Sequence, residues 1–90
     1  MGETFFRISE DWAIDKEQDV LYFYEDDECY EYDITGVSYS PYSVKISTTD
    51  GSLTLCKLAS NYVGLTCDMD FDSYTQPIRM KWKSFIKSIF

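Results

Sequence analysis

Apolar and polar positions alternate along most of this chain with the two-residue period of β-strands. Thr4-Phe5-Phe6-Arg7-Ile8 is rich in aromatic and β-branched residues and predicts a first strand, which Ser9-Glu10-Asp11 ends. Trp12-Ala13-Ile14 is a short apolar island, readable as one helical turn or an edge strand, and Asp15 to Asp19 is a polar connector. Val20-Leu21-Tyr22-Phe23-Tyr24 is an unbroken apolar run of strand length. After the acidic turn Glu25-Asp26-Asp27-Glu28, the run Cys29 to Ile34 returns. It sets Tyr30, Tyr32 and Ile34 on one face and Cys29, Glu31 and Asp33 on the other. These segments predict a hairpin with one packed and one acidic face.

Gly36 and Pro41 punctuate a loop or edge segment. Val44-Lys45-Ile46-Ser47-Thr48 alternates cleanly, and Asp50-Gly51 is the strongest turn signal in the chain. A type I′ turn centred on that pair places Ile46 opposite Leu55 and Thr48 opposite Leu53. Tyr62 to Cys67 predicts a sixth strand, which Asp68-Met69-Asp70-Phe71-Asp72 either extends or leaves as a loop. Pro77 suits the first position of a helix. Ile78, Trp82, Phe85, Ile86 and Ile89 then share one helical face beside Arg79, Lys83 and Lys87. A strand over Ile78 to Lys83 is the competing reading. The expected class is α+β and strand-dominated: an antiparallel sheet of about five or six strands with one C-terminal helix. Residues 1–90 read as a single domain, without repeat, linker or low-complexity tract.

Composition sharpens this picture. The chain is 44% hydrophobic, with 8 Tyr, 6 Phe and 2 Trp among 90 residues. That aromatic density supports a packed core and argues against disorder. All 16 Asp and Glu lie between Glu3 and Asp72, where the bases are Arg7, Lys16, Lys45 and Lys57. Residues 1–76 thus carry a formal −12, and residues 77–90, with Arg79, Lys81, Lys83 and Lys87, carry +4. A body so negative repels phosphate, which excludes direct nucleic-acid binding through the main surface and favours basic protein partners.

Cys29, Cys56 and Cys67 are an odd number without CxxC spacing, so they read as free thiols, each a small core residue. No signal-peptide pattern and no membrane-length apolar run is present, and Phe6 stands where a myristoylation motif after Gly2 needs Ser or Thr. A cytoplasmic location is expected.

Catalytic signatures are missing. The chain has no His, which removes the commonest general base and every Ser-His or Cys-His pair, and it has no P-loop, GxGxxG or HExxH. It reads as a non-enzyme without a cofactor. Asp68-x-Asp70-x-Asp72 invites a calcium reading, but an EF-hand loop needs Gly at its sixth and Glu at its twelfth position, where this chain has Ser73 and Arg79. No metal site is expected.

Acidity itself is the remaining candidate chemistry. On an extended strand, residues i and i+2 stand about 6.6 Å apart on one side. Glu31/Asp33 and Asp68/Asp70/Asp72 would then form rows of anions, with Glu25, Asp26, Asp27 and Glu28 capping one end. Such rows imitate a nucleic-acid backbone to a cleft lined with Lys and Arg. With Tyr30 and Tyr74 as anchors, these residues are the expected partner-binding surface. The expected function is inhibition by occupying a basic, nucleic-acid-binding site on another protein. Small phage anti-restriction and anti-CRISPR proteins and nuclease-immunity proteins are of this general type, a likeness of size, charge and aromatic content. The alternative is a structural or adaptor subunit, using a Tyr-rich face and the C-terminal amphipathic helix.

Overall fold

The computed structural model describes residues 5–89. Eight strands follow one another: β1 (Phe5–Arg7), β2 (Trp12–Asp15), β3 (Val20–Glu25), β4 (Glu28–Ser40), β5 (Ser43–Thr48), β6 (Gly51–Ala59), β7 (Tyr62–Met69) and β8 (Asp72–Arg79). The helix α1 (Trp82–Ile89) ends the chain. Every strand pairs antiparallel with its sequence neighbours, in the order β1 to β8, and the sheet curls into a half-barrel. Thr4, expected to open the first strand, lies outside the described residues, as does Gly2.

Tight turns produce this meander. Five successive hairpins close through two residues each: Asp26-Asp27, Pro41-Tyr42, Thr49-Asp50, Ser60-Asn61 and Asp70-Phe71. Asp, Asn, Ser and Pro are the residues whose backbones accept such bends. Asp26 takes φ 54°, a left-handed conformation that Asp tolerates better than most residues.

The curl centres on β4. Its first half, Glu28 to Asp33, pairs with β3, and its second half, Ile34 to Ser40, pairs with β5. The register slips between Ile34 and Gly36, leaving Thr35 as the extra residue of a bulge. A bulge bends its strand and increases the local twist. The β1–β3 side of the sheet thereby folds towards the β5–β8 side, and one apolar face becomes the interior. Ile8, Trp12, Ile14, Leu21, Val44, Ile46, Leu53, Leu55, Val63, Leu65 and Cys67 are buried on it. Each fully buried large side chain contributes about 1.5–3 kcal/mol.

The helix covers this interior. Phe85 is fully buried against Phe6, with ring centroids 5.6 Å apart, and against Trp82 at 5.7 Å. The Met80 and Trp82 N–H groups donate to the Asn61 and Ser60 carbonyls at 3.1 and 3.2 Å, tying the helix to the β6–β7 turn.

Several expectations are corrected. The sheet has eight strands, not five or six. The Trp12 island is a full strand because it pairs on both sides, and Asp72–Arg79 is the eighth. Pro77 lies within β8 and does not begin a helix. A terminal strand needs ladder bonds on one side only, so the missing N–H is tolerated. Its neighbours Tyr74, Gln76 and Ile78 turn inward with period two. The helix starts at Trp82 instead.

Gly36 lies inside β4, which runs on to Ser40. The β5–β6 register is Ile46 opposite Leu53 and Val44 opposite Leu55, two residues from the expected pairing but on the same face. The positive φ, 143°, belongs to Gly51 as the residue after the turn. Only Cys67 is a core cysteine. Cys29 and Cys56 are exposed because they occupy outward rows of β4 and β6.

Candidate functional site: an acid-rimmed aromatic cleft

The acidic turn 25–28 is a two-residue hairpin in which Glu25 and Glu28 stand directly opposite one another. Like charges in that position destabilise a sheet, so their placement is not explained by stability. The Tyr30 hydroxyl donates to Glu28 Oε2. That bond, and then the charge of Glu28, push the Tyr30 phenol up to about 12 from its ordinary 10.0. With the folded value above the unfolded one, the contact's contribution to stability is complete below pH 10 and disappears as pH rises through about 12. A tyrosinate absorbance titration is expected to show one phenol ionising near pH 12 that Glu28→Gln returns towards 10. A curve unmoved by Glu28→Gln would mean that the bond does not form in solution.

The second acidic segment arrives from the other side of the sheet. β7 ends at Met69, Asp70 and Phe71 form the turn, and β8 begins at Asp72. The triad is therefore not the straight row expected of an extended strand. Asp68 pairs with Ser73 on the outward face, and Asp72 pairs with Met69 on the inward one. Phe71, between two aspartates, swings across the curl. Its ring lies 5.3 Å from Phe23 of β3 and 5.6 Å from Tyr32 of β4, nearly parallel to the latter at 17°. Phe23 in turn stacks on Tyr30 at 6.4 Å and 27°.

Phe23, Glu25, Tyr30, Tyr32 and Phe71 line a cleft of about 250 Å³. Its aromatic members are partly open to solvent, Tyr30 at 41% and Phe71 at 46%. Burial raises the Tyr32 phenol above its ordinary range, and the charges of Asp50 and Glu25 raise it further. The fold thus sets Glu25 in the cleft wall, Glu28 on the Tyr30 hydroxyl across the Asp26-Asp27 turn, and Phe71, with Asp70 and Asp72 as its chain neighbours, against Phe23 and Tyr32. It does not bring Glu31, Asp33 or Asp68 there: they face outward, with Glu31 opposite Tyr22 and Asp33 opposite Val20.

Tyr74 is half-buried, and its hydroxyl accepts the Trp12 indole N–H at 2.9 Å, a tie between β2 and β8. Burial raises its phenol, the Trp12 bond opposes this, and Asp11 and Asp72 add to the rise. Sequence reasoning did not single out Phe23, Tyr32, Phe71 or Asp50. Phe71 carried a usable signal: a large aromatic between two aspartates in a turn, where small or polar residues are usual.

Lys57, Arg79, Lys81 and Lys83 lie elsewhere. β8 runs from Asp72 at the acidic end to Arg79, and α1 follows beside the β6–β7 turn. Lys57, Lys81 and Lys83 line a separate cleft of about 400 Å³ with Trp82. Arg79 donates to the Tyr62 hydroxyl at 3.2 Å and lies over its ring, and Lys57 lies over Tyr42. At the acidic end, Arg7 donates to the Ser9 and Glu10 carbonyls and sits 4.3 Å from the centre of the Tyr24 ring.

Among the described residues no His, Cys, Asp or Glu cluster is arranged to hold a metal ion, and no helix is long and apolar enough to cross a membrane. Comparisons of the chain with protein-family models, with curated proteins and with solved structures returned no match in any of the three.

Proposed function

We propose that this is a non-catalytic inhibitor that occupies a basic, nucleic-acid-binding surface on another protein, in the manner of phage anti-CRISPR or anti-restriction proteins or of nuclease-immunity proteins. The observation that carries the reading is convergence: two acidic segments more than forty residues apart in sequence meet around one aromatic cleft, while Lys57, Arg79, Lys81 and Lys83 collect at the other end of β7 and β8. A negative patch steers encounter with a positive partner, and partly exposed Tyr and Phe supply contact area once the charges have aligned. No cofactor is required, and a cytoplasmic site of action suits the free thiols.

The adaptor alternative relied partly on the helix. Its apolar residues Trp82 and Phe85 are spent on the protein's own interior, which leaves the exposed Tyr39, Tyr42 and Leu58 to serve that role.

A column bearing this protein, loaded with lysate from a candidate host and eluted with a salt gradient, tests the reading. The expected eluate is a nucleic-acid-binding protein released at moderate salt, because screening shortens the Debye length from about 10 Å at 0.1 M to about 3 Å at 1 M. DNA or RNA should then compete with the inhibitor for it. Capture that ignores both salt and nucleic acid would replace this reading with the adaptor one.

A further inference from the structure

We propose that the cleft of Phe23, Glu25, Tyr30, Tyr32 and Phe71 is a receptor for a single arginine side chain of the partner protein. The inference rests on the inhibitor reading and names what that same site grips.

Four observations converge on this occupant. The cleft, at about 250 Å³, is smaller than the roughly 300–1,000 Å³ usual for small-molecule sites, so it suits one side chain. Its walls are ring faces: Tyr32 and Phe71 lie nearly parallel, and so do Phe23 and Tyr30. A planar guanidinium stacks on such faces, whereas a compact ammonium is held as a hydrated point charge. Glu25 lines the wall, and the Tyr30 hydroxyl holds the Glu28 carboxylate in place beside it, offering two-oxygen acceptors to a forked donor. No Lys or Arg is among the lining residues, so the site supplies negative charge and aromatic faces without a cation of its own.

The same chemistry occurs elsewhere on the molecule. Arg7 sits over Tyr24, and Arg79 over Tyr62. Phe71 also departs from what its position favours. Two-residue hairpin turns prefer Asn, Asp or Gly, and a phenylalanine there is 46% exposed. Its ring completes the cleft by spanning from β8's turn to β3 and β4.

Two peptides of equal length and charge, one of Arg and Gly and one of Lys and Gly, serve as probes at low salt. Affinity is read by calorimetry and location by amide chemical shifts. The arginine peptide is expected to bind about three- to tenfold more tightly, the range that a partly exposed cation–π contact supplies. It should shift the resonances of Phe23, Tyr30, Tyr32 and Phe71. Phe71→Leu, which keeps an apolar side chain on Phe23, should lower arginine-peptide affinity to that of the lysine peptide while the melt stays cooperative. Glu25→Gln should weaken both peptides.

Equal affinity for the two peptides, or an arginine preference that survives Phe71→Leu, would overturn the receptor while leaving a purely electrostatic inhibitor intact. Failure of both peptides to bind at low salt would remove the inhibitor reading as well.

Discussion

Replacing Trp12 with Ala is expected to cost about 4 kcal/mol, within the usual range of about 3–5 kcal/mol for a buried tryptophan. Trp12 has no exposed surface, packs on Phe23 with ring centroids 4.6 Å apart, and donates to Tyr74. It lies at the junction where the β1–β3 side of the curl closes on β8. Its loss empties a cavity and removes the bond across that junction. In a domain of this size each kcal/mol moves the midpoint by roughly 4–8 °C, so the melting temperature should fall by roughly 16–32 °C. Trp12→Phe separates the two effects. It keeps most of the bulk, losing the indole donor and three ring atoms, at a cost of about 1–3 kcal/mol. A double-mutant cycle with Tyr74→Phe should return a coupling of about 1 kcal/mol. A Trp12→Ala melt within about 5 °C of the parent would mean that the two sides of the curl are held by something else.

Gly51→Ala should be nearly as damaging, for a backbone reason. Gly51 has φ 143°, and a β-carbon there would overlap the Asp68 carbonyl oxygen and lie 2.7 Å from Met69 Cα. Both obstacles are main chain of the neighbouring strand, so no side-chain rotation relieves them. The Thr48 hydroxyl, which accepts the Asp50 N–H and donates to the Gly51 carbonyl at 3.1 Å each, holds the turn against any compensating shift. Strain of this kind costs about 1–3 kcal/mol before the collision is counted, so a loss of about 3 kcal/mol is expected in urea unfolding. Gly64→Ala is the control. Its added methyl would meet only Leu58 side-chain atoms at 3.7 to 3.8 Å, ordinary contact. It should be neutral or stabilise by up to about 1 kcal/mol, since alanine restricts the unfolded chain. Equal losses at the two positions would refute the close approach of β6 and β7 at Gly51.

The legible parts of the fold are those governed by neighbours in sequence. Alternation in Cys29 to Ile34 gave the faces of the first half of β4 correctly, and the Val44–Leu58 hairpin was found with its apolar face inward. Errors arose where a local rule had two solutions. Ile78 to Lys83 fits a strand and a helix alike, and only pairing of Ile78 with Val63 decides that the strand runs to Arg79. Asp50-Gly51 marks a turn, but whether the glycine sits inside it or just after it depends on how closely β7 approaches.

For the candidate site, the acidic residues were legible as a list and not as a surface. Tyr30 and the 25–28 turn were correctly placed together because they are contiguous. The 68–72 segment joins them through Phe71, and no spacing rule connects Phe71 to Phe23 or Tyr32 across 39 or more positions.

The amino-acid order by itself determines that this chain builds a strand-rich, acidic protein with an apolar inner face, ended by a short amphipathic helix. Those are properties of side-chain period, turn preference and charge, each settled over a few residues. The curl at Thr35, the crossing of Phe71 and the separation of the acidic end from the lysines were decided only by tertiary structure. They depend on how far the sheet must bend to exclude water from its apolar face, and that requirement belongs to the whole sheet, not to any segment of it.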